Sequence, residues 1–161
     1  MRAKRGIEEI KRLFDLEGKV AVVTGASGAL GRAISKGLAA HGVNIVACSV
    51  EKNTLEELAA EVCNATGREI LPVFCDVTNV EGVDQMVNRA IDAIGKIDIL
   101  FTAAGLAHRE RLVEMRVDDW QEAMDVNVTG ALICCRSVAK QMIEKGEGGS
   151  IIIVGSVRGF H

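Results

Sequence analysis

The sequence predicts an α/β fold: a doubly wound parallel sheet with helices on both faces, three layers in the order α-β-α. Three observations predict it. Five short apolar runs are rich in valine and isoleucine and do not alternate with polar residues, the pattern of strands buried on both faces of a parallel sheet. Longer amphipathic stretches separate them, as in successive right-handed βαβ units. Glycines stand where those stretches stop, the usual place for a helix C-terminus.

Residues 1–17 read as an amphipathic helical extension, with Ile7, Ile10, Leu13 and Phe14 on one side. Packing against the domain is preferred for it over docking to a partner. The first strand is VAVVTG (20–25), and Leu30–His41 follows as a helix with Ile34 and Leu38 on one face, stopped by Gly42. The second strand is VNIVACS (43–49). The next helix, Thr54–Thr66, opens on Thr54-x-x-Glu57, read as a capping box, and ends at Gly67. ILPVFCD (70–76) is the third strand. A second capping box, Thr78-x-x-Glu81, opens a helix that runs to Gly95. IDILFTAAG (97–105) is the fourth strand. The longest helical stretch starts near Asp118 or Asp119 and runs to Lys145, with a break expected near Asn127 and a stop at Gly146. SIIIVGS (150–156) is the fifth strand.

The length, 161 residues, indicates one domain with room for a sizeable core. Hydrophobic residues make up 48% and charged residues 25%, an ordinary globular balance. A net charge of −3 gives no basic surface for nucleic acid. No run is long enough to cross a membrane. The first residues carry charge but no apolar core of a secretory signal, so the reading is cytoplasmic, and the glycosylation-like triplets at 64–66 and 127–129 are taken as chance. The five cysteines form no CxxC pair and the three histidines show no ligand spacing. Small buried hydrophobes in a reducing compartment are expected, with no disulfide and no metal site.

The first strand-to-helix turn carries the chemistry. In VVTGASGALGRAI, Gly25, Gly28 and Gly31 follow a strand and open a helix. A helix N-terminus offers unpaired N–H groups and a positive dipole end, and glycine lets a pyrophosphate approach the backbone. A plain tight turn is the bland alternative. The strand before and the helix after favour a nucleotide site.

At this point the sequence resembles the short-chain dehydrogenases/reductases, whose cofactor loop reads TGxxxGxG. Thr24, Gly25 and Gly31 match, and Ala29 replaces the middle glycine, with Gly28 one place earlier. The resemblance covers nearly the whole chain. Asp76 in CDVTN matches the aspartate that holds the adenine amino group. DILFTAAG (98–105) is similar to the family's DxLVNNAG, with Thr102 and Ala103 in place of the two asparagines. Asn127 matches the active-site asparagine, whose helix break exposes a carbonyl to a water in the proton relay. Ser156 matches the catalytic serine. The resemblance therefore implies a Rossmann fold, Ser156 and Asn127 as catalytic residues, and Gly25, Ser27, Gly28, Ala29, Leu30, Gly31, Ser49, Asp76, Val77, Ala103, Ala104 and Gly105 as the cofactor site. It also implies a small alcohol or carbonyl substrate, and a homotetramer or homodimer built on two long helices, of which about 127–145 is the first.

An acidic residue at the end of the second strand selects NAD, and its absence suits NADP. The aligned position is Ser49, which removes a carboxylate that would repel a 2′-phosphate. Glu51 could reach back and Lys52 could favour phosphate, and the balance tips to NADP over NAD. The family's Tyr-x-x-x-Lys pair belongs a short loop after Ser156, beyond His161, and the sequence contains no tyrosine. The expectation is the N-terminal part of a longer enzyme, inactive alone, its fold incomplete at the C-terminus and its fifth strand left as a bare edge. SVRGFH faintly suggests the 3-oxoacyl-carrier-protein reductase and gluconate 5-dehydrogenase-like branch. The alternative reading is a nucleotide-binding module without catalysis, acting as a partner subunit or pseudo-enzyme. Ala29, the altered TAAG and the missing tyrosine favour it.

Overall fold

A computed structural model describes residues 14–68 and 70–156. The expected N-terminal helix lies, up to residue 13, outside the described residues, as do the residues after Ser156. The order is β1 (Val20–Thr24), α1 (Ala29–Ala40), β2 (Asn44–Ser49), α2 (Lys52–Thr66), β3 (Ile70–Phe74), α3 (Val80–Ile94), β4 (Ile99–Thr102), α4 (Val117–Met124), a π-helical turn (Asp125–Thr129), α5 (Gly130–Lys145) and β5 (Ser150–Ile153). The strands form one all-parallel sheet in the order β3-β2-β1-β4-β5. Strand order reverses between β1 and β4, and in such sheets ligands bind at that reversal, beyond the carboxyl ends of the strands.

Strand geometry splits the core in two, because successive side chains point to opposite faces. Ala21, Val23, Ile45 and Ala47 meet α1 and α2 through Ala39, Leu55, Leu58 and Val62. Val20, Val22, Val46 and Cys48 meet α3 and α5 through Val83, Met86, Val87, Ile133 and Val138. Both faces are apolar, which is why β1 and β2 read as unbroken hydrophobic runs. Pro72 fits because β3 is an edge strand, where a missing N–H costs no ladder bond. Three cysteines are buried in accordance with expectation (Cys48, Cys75 and Cys134), whereas Cys63 on α2 is exposed. No helix of the described residues is long and apolar enough to cross a membrane.

The structure corrects the sequence reading at three points. Neither expected capping box forms. The helix α2 starts two residues before Thr54, on Glu51, with no side-chain cap. The helix α3 is capped by Asn79, whose Oδ1 accepts from Gly82 N at 2.9 Å, while the Thr78 hydroxyl donates to Asp76 instead. The helix is not broken near Asn127: the backbone stays right-handed helical but widens into a π turn, closed by Gly130 N donating to Asp125 O. Gly130 sits so close to Val77 that an added Cβ would lie 2.7 Å from Val77 Cγ2. The fifth strand, β5, does lie at the edge of the sheet. It pairs with β4 alone, and Ile152 and Ile153 are 43% and 61% exposed, as expected for a bare edge.

Candidate nucleotide-binding cleft

The site is built where β1 and β4 diverge. Thr24 ends β1, and Gly25 turns the chain with φ +63°, a conformation that costs L-residues with a Cβ. Its other constraint is space: a Cβ on Gly25 would stand 2.6 Å from Ala104 N. The loop after β4 is pinned there, since Ala103 N donates to Thr24 O and Ala104 N to Thr24 Oγ1. Gly31 lies buried beneath the turn, where a Cβ would overlap the Gly25 carbonyl. The two glycines therefore let α1 begin directly over the crevice. Gly28 caps α1 without any side-chain bond, so the first-turn N–H groups point out of the helix start unclaimed by a cap.

A cleft of about 420 Å³ opens at this point, a size suited to a small-molecule ligand. Its walls include Gly25, Ser27, Gly28, Ser49, Asp76, Val77, Ala103, Ala104 and Gly105, so four separated segments of the predicted cofactor site converge on it. Ala29, Leu30 and Gly31 do not line it; they form the first turn of α1 beside it. Val50, Glu51, Cys75, Leu106, Glu122 and Val126 line it as well. Of these only Glu51 is weighed for a cofactor role in the sequence. Leu106 directly follows the matched AAG, which was its one available signal, and nothing local marks Glu122 or Val126.

Asp76 uses one carboxylate oxygen within its own turn. Its Oδ1 accepts from Thr78 N at 2.9 Å and from Thr78 Oγ1 at 2.8 Å, which caps the turn. Its other oxygen has no partner among the described residues and is available to a ligand's N–H. Ser49 is buried, with Oγ 2.6 Å from Ser27 Oγ, and it accepts from Glu51 N at 3.2 Å. Asn127 does not line the cleft but holds a residue that does. Its Oδ1 accepts from Leu106 N and its Nδ2 donates to Leu106 O, both at 2.8 Å. Ser156 lies exposed beyond β5, whose extension Val154 N donates to Thr102 O, so it stands on the same carboxyl side of the sheet.

Among the described residues, the charged side chains lining the cleft are those of Glu51, Asp76 and Glu122, with no lysine, arginine or histidine beside them. Burial and the neighbouring thiols push Cys134 up to about 12, and Cys48 is raised well above its ordinary value by its bond to Cys75 and by burial, while the same bond holds Cys75 below its ordinary value. The open helix start, the lone acceptor on Asp76 and the glycine-cleared crevice fit a dinucleotide.

Comparison with known proteins agrees. At 37% identity the chain resembles 2-dehydro-3-deoxy-D-gluconate 5-dehydrogenase of Escherichia coli, over 91% of this chain and 57% of that protein. The structure of a short-chain type dehydrogenase/reductase from Mycobacterium marinum superposes with a TM-score of 0.90 at 32% identity, covering 94% of this chain and 61% of that one. NAD+-bound xylitol dehydrogenase superposes with a TM-score of 0.86 at 34% identity, covering 90% and 55%. The chain thus spans under two thirds of the length of these proteins. The sequence model of the short chain dehydrogenases matches residues 19–161, and the chain belongs to that family.

Proposed function

We propose that the chain is the nucleotide-binding part of an NAD(P)-dependent oxidoreductase that interconverts a secondary alcohol and a ketone. The observation that carries this is the convergence of residues 25, 27–28, 49, 76–77 and 103–105 on one cleft at the β1/β4 reversal. The bound nicotinamide supplies the hydride donor or acceptor. The chain's own residues do the rest. The uncapped start of α1 faces the pyrophosphate with N–H groups and a positive dipole end. Asp76 accepts from the adenine amino group. Ser156 donates to the substrate oxygen, where negative charge develops. Asn127 acts as a positioning residue, through Leu106. The domain organisation proposed is one dinucleotide-binding domain with residues 1–17 as an extension, in a cytoplasmic homo-oligomer.

The relatives named above support a polyol or sugar-acid substrate, since their names are those of gluconate and xylitol dehydrogenases. Ser49 at the end of β2 supports NADP, and the charge of the folded cleft supports NAD.

The test is carbonyl-dependent oxidation of NADH and NADPH by the full gene product, with Ser156→Ala alongside. Turnover that falls by two to three orders of magnitude in Ser156→Ala supports the enzyme. Nucleotide binding without turnover on any carbonyl or alcohol supports the non-catalytic module instead.

A further inference from the structure

We propose that Cys75 is a modification site: its thiol stands in the wall of the cleft, and a mixed disulfide formed there with a small-molecule disulfide shuts the cleft to its ligand. That the excluded ligand is a dinucleotide rests on the function proposed above; the reactivity of the thiol does not. Cys75 directly follows β3, and its N–H donates to Ser49 O at 3.0 Å, which fixes it beside the end of β2. It is only 4% exposed, and the space it borders is the cleft, with Ser49 and Asp76 beside it in the lining. Cys48 and Cys134 are wholly buried, and neither lines the cleft. Cys63 is exposed on α2, outside the lining. Among the described residues Cys75 is therefore the one cysteine that faces the cleft.

A second thiol prepares Cys75 for reaction. The Cys48 thiol, on the neighbouring strand, donates to Cys75 O at 3.8 Å, and the Cys75 thiol donates to Asp76 O at 3.5 Å. The nucleophile in disulfide exchange is the thiolate. Once Cys75 has lost its proton its sulfur can only accept, and Cys48 is the donor beside it. That bond outweighs burial and the charge of Asp76 and holds Cys75 below the ordinary thiol range, whereas Cys48 and Cys134 are pushed up. Cys48 is thus a positioning residue for the Cys75 thiolate. The step balances. The thiol proton passes to solvent, and the Cys75 thiolate attacks one sulfur of R–S–S–R. The reagent's S–S bond breaks, a Cys75–S–S–R bond forms, and R–S⁻ leaves and takes up a proton. Cys75 is oxidised and the reagent is reduced by the same two electrons. The R group then occupies space on which residues 25, 49, 76 and 104 converge, so a ligand and the adduct cannot share it. A thiol reductant reverses the step.

The experiment treats the full gene product with cystamine, a compact disulfide, at neutral pH. Peptide mass mapping reads the adducts, and nicotinamide fluorescence reads NADH binding. Adducts are expected at Cys75 and at the exposed Cys63, and not at Cys48 or Cys134. NADH at about ten times its dissociation constant should slow the reaction at Cys75 about tenfold and leave Cys63 unchanged. The adduct should abolish NADH binding, dithiothreitol should restore it, and Cys75→Ser should bind NADH equally before and after cystamine. In Cys48→Ala the rate at Cys75 should fall about threefold, with its pH profile displaced upward. Cys48→Ser, which keeps a donor, should return the profile, and thermal melts check that each variant folds. Modification of Cys63 without Cys75, a rate at Cys75 that NADH does not change, or an adduct at Cys75 that leaves NADH binding intact overturns the proposal. An unmoved pH profile in Cys48→Ala overturns the role of Cys48. Binding of neither NADH nor NADPH by the untreated protein overturns the dinucleotide reading and the competition with it, and the pattern of adducts then decides the reactivity of Cys75 alone.

Discussion

Gly25, Gly31 and Gly67 allow the energetics of the cleft to be separated by three alanine substitutions. Gly67 closes α2 with φ +68° and has nothing within 4 Å of an added Cβ. Alanine there incurs only the left-handed backbone penalty, about 1–2 kcal/mol. Gly31 has ordinary helical geometry, but its Cβ would strike the Gly25 carbonyl and come 2.8 Å from Ala26 Cα. Alanine there carries an overpacking cost of about 1–3 kcal/mol, less about 1 kcal/mol of helix propensity gained. Gly25 carries both burdens: φ is +63°, and the Cβ would sit 2.6 Å from Ala104 N and 2.7 Å from Ala103 C and O. These are backbone atoms of a pinned loop and cannot swing aside like a flexible side chain. Gly25→Ala is therefore expected to lose about 2–5 kcal/mol, the largest of the three. Urea unfolding monitored by circular dichroism reads this as a shift in midpoint at constant slope. If Gly25→Ala loses no more than Gly67→Ala, the close approach of turn and loop is not what demands glycine, and the account of the crevice fails.

Three further outcomes are expected. Asn127→Ala removes both bonds to the Leu106 backbone and should cost about 1–3 kcal/mol; faster amide exchange at Leu106, with α5 unaffected, identifies the loss as local. Thr102 is buried with Oγ1 unpartnered among the described residues, so Thr102→Val should be neutral or stabilising by up to about 1 kcal/mol; a loss beyond that by thermal melting would indicate a partner for the hydroxyl. At Asp98, burial pushes the carboxyl up, but Lys96, the Val20 N–H and Lys19 together outweigh it and hold it below the usual aspartate range. A depressed carboxyl stabilises the fold above its unfolded value, about 3.9, and that contribution fades as pH falls toward the lower folded value. Stability of Asp98→Asn measured from pH 6 downward should therefore fall less steeply than that of the natural protein, and parallel curves would contradict the pairing.

Part of this molecule follows from sequence alone because the governing forces are local. The alternation of valine-rich runs with amphipathic stretches appears as strands and helices in the expected order, because burying both faces of a sheet requires unbroken apolar runs. The stops at Gly67, Gly95 and Gly146 hold because each adopts positive φ, which only glycine does at little cost. Gly25 and Asp76 were legible for the same reason: a turn and a strand end declare themselves within a few residues. The helix starts were not, since packing of Leu55 and Val83 onto the sheet decides where a helix begins, and capping side chains then serve whichever position is left. Longer-range pairings were invisible. Ser49 looks like a free ligand until it meets Ser27, 22 residues earlier, and Asn127 looks like a helix breaker until it clasps Leu106, 21 residues away. A single sequence carries no record of such partners, because a hydrogen bond depends on where two side chains stop in space. The tertiary structure therefore decided which polar groups are spent as braces and which, like the second oxygen of Asp76, remain available to meet a ligand.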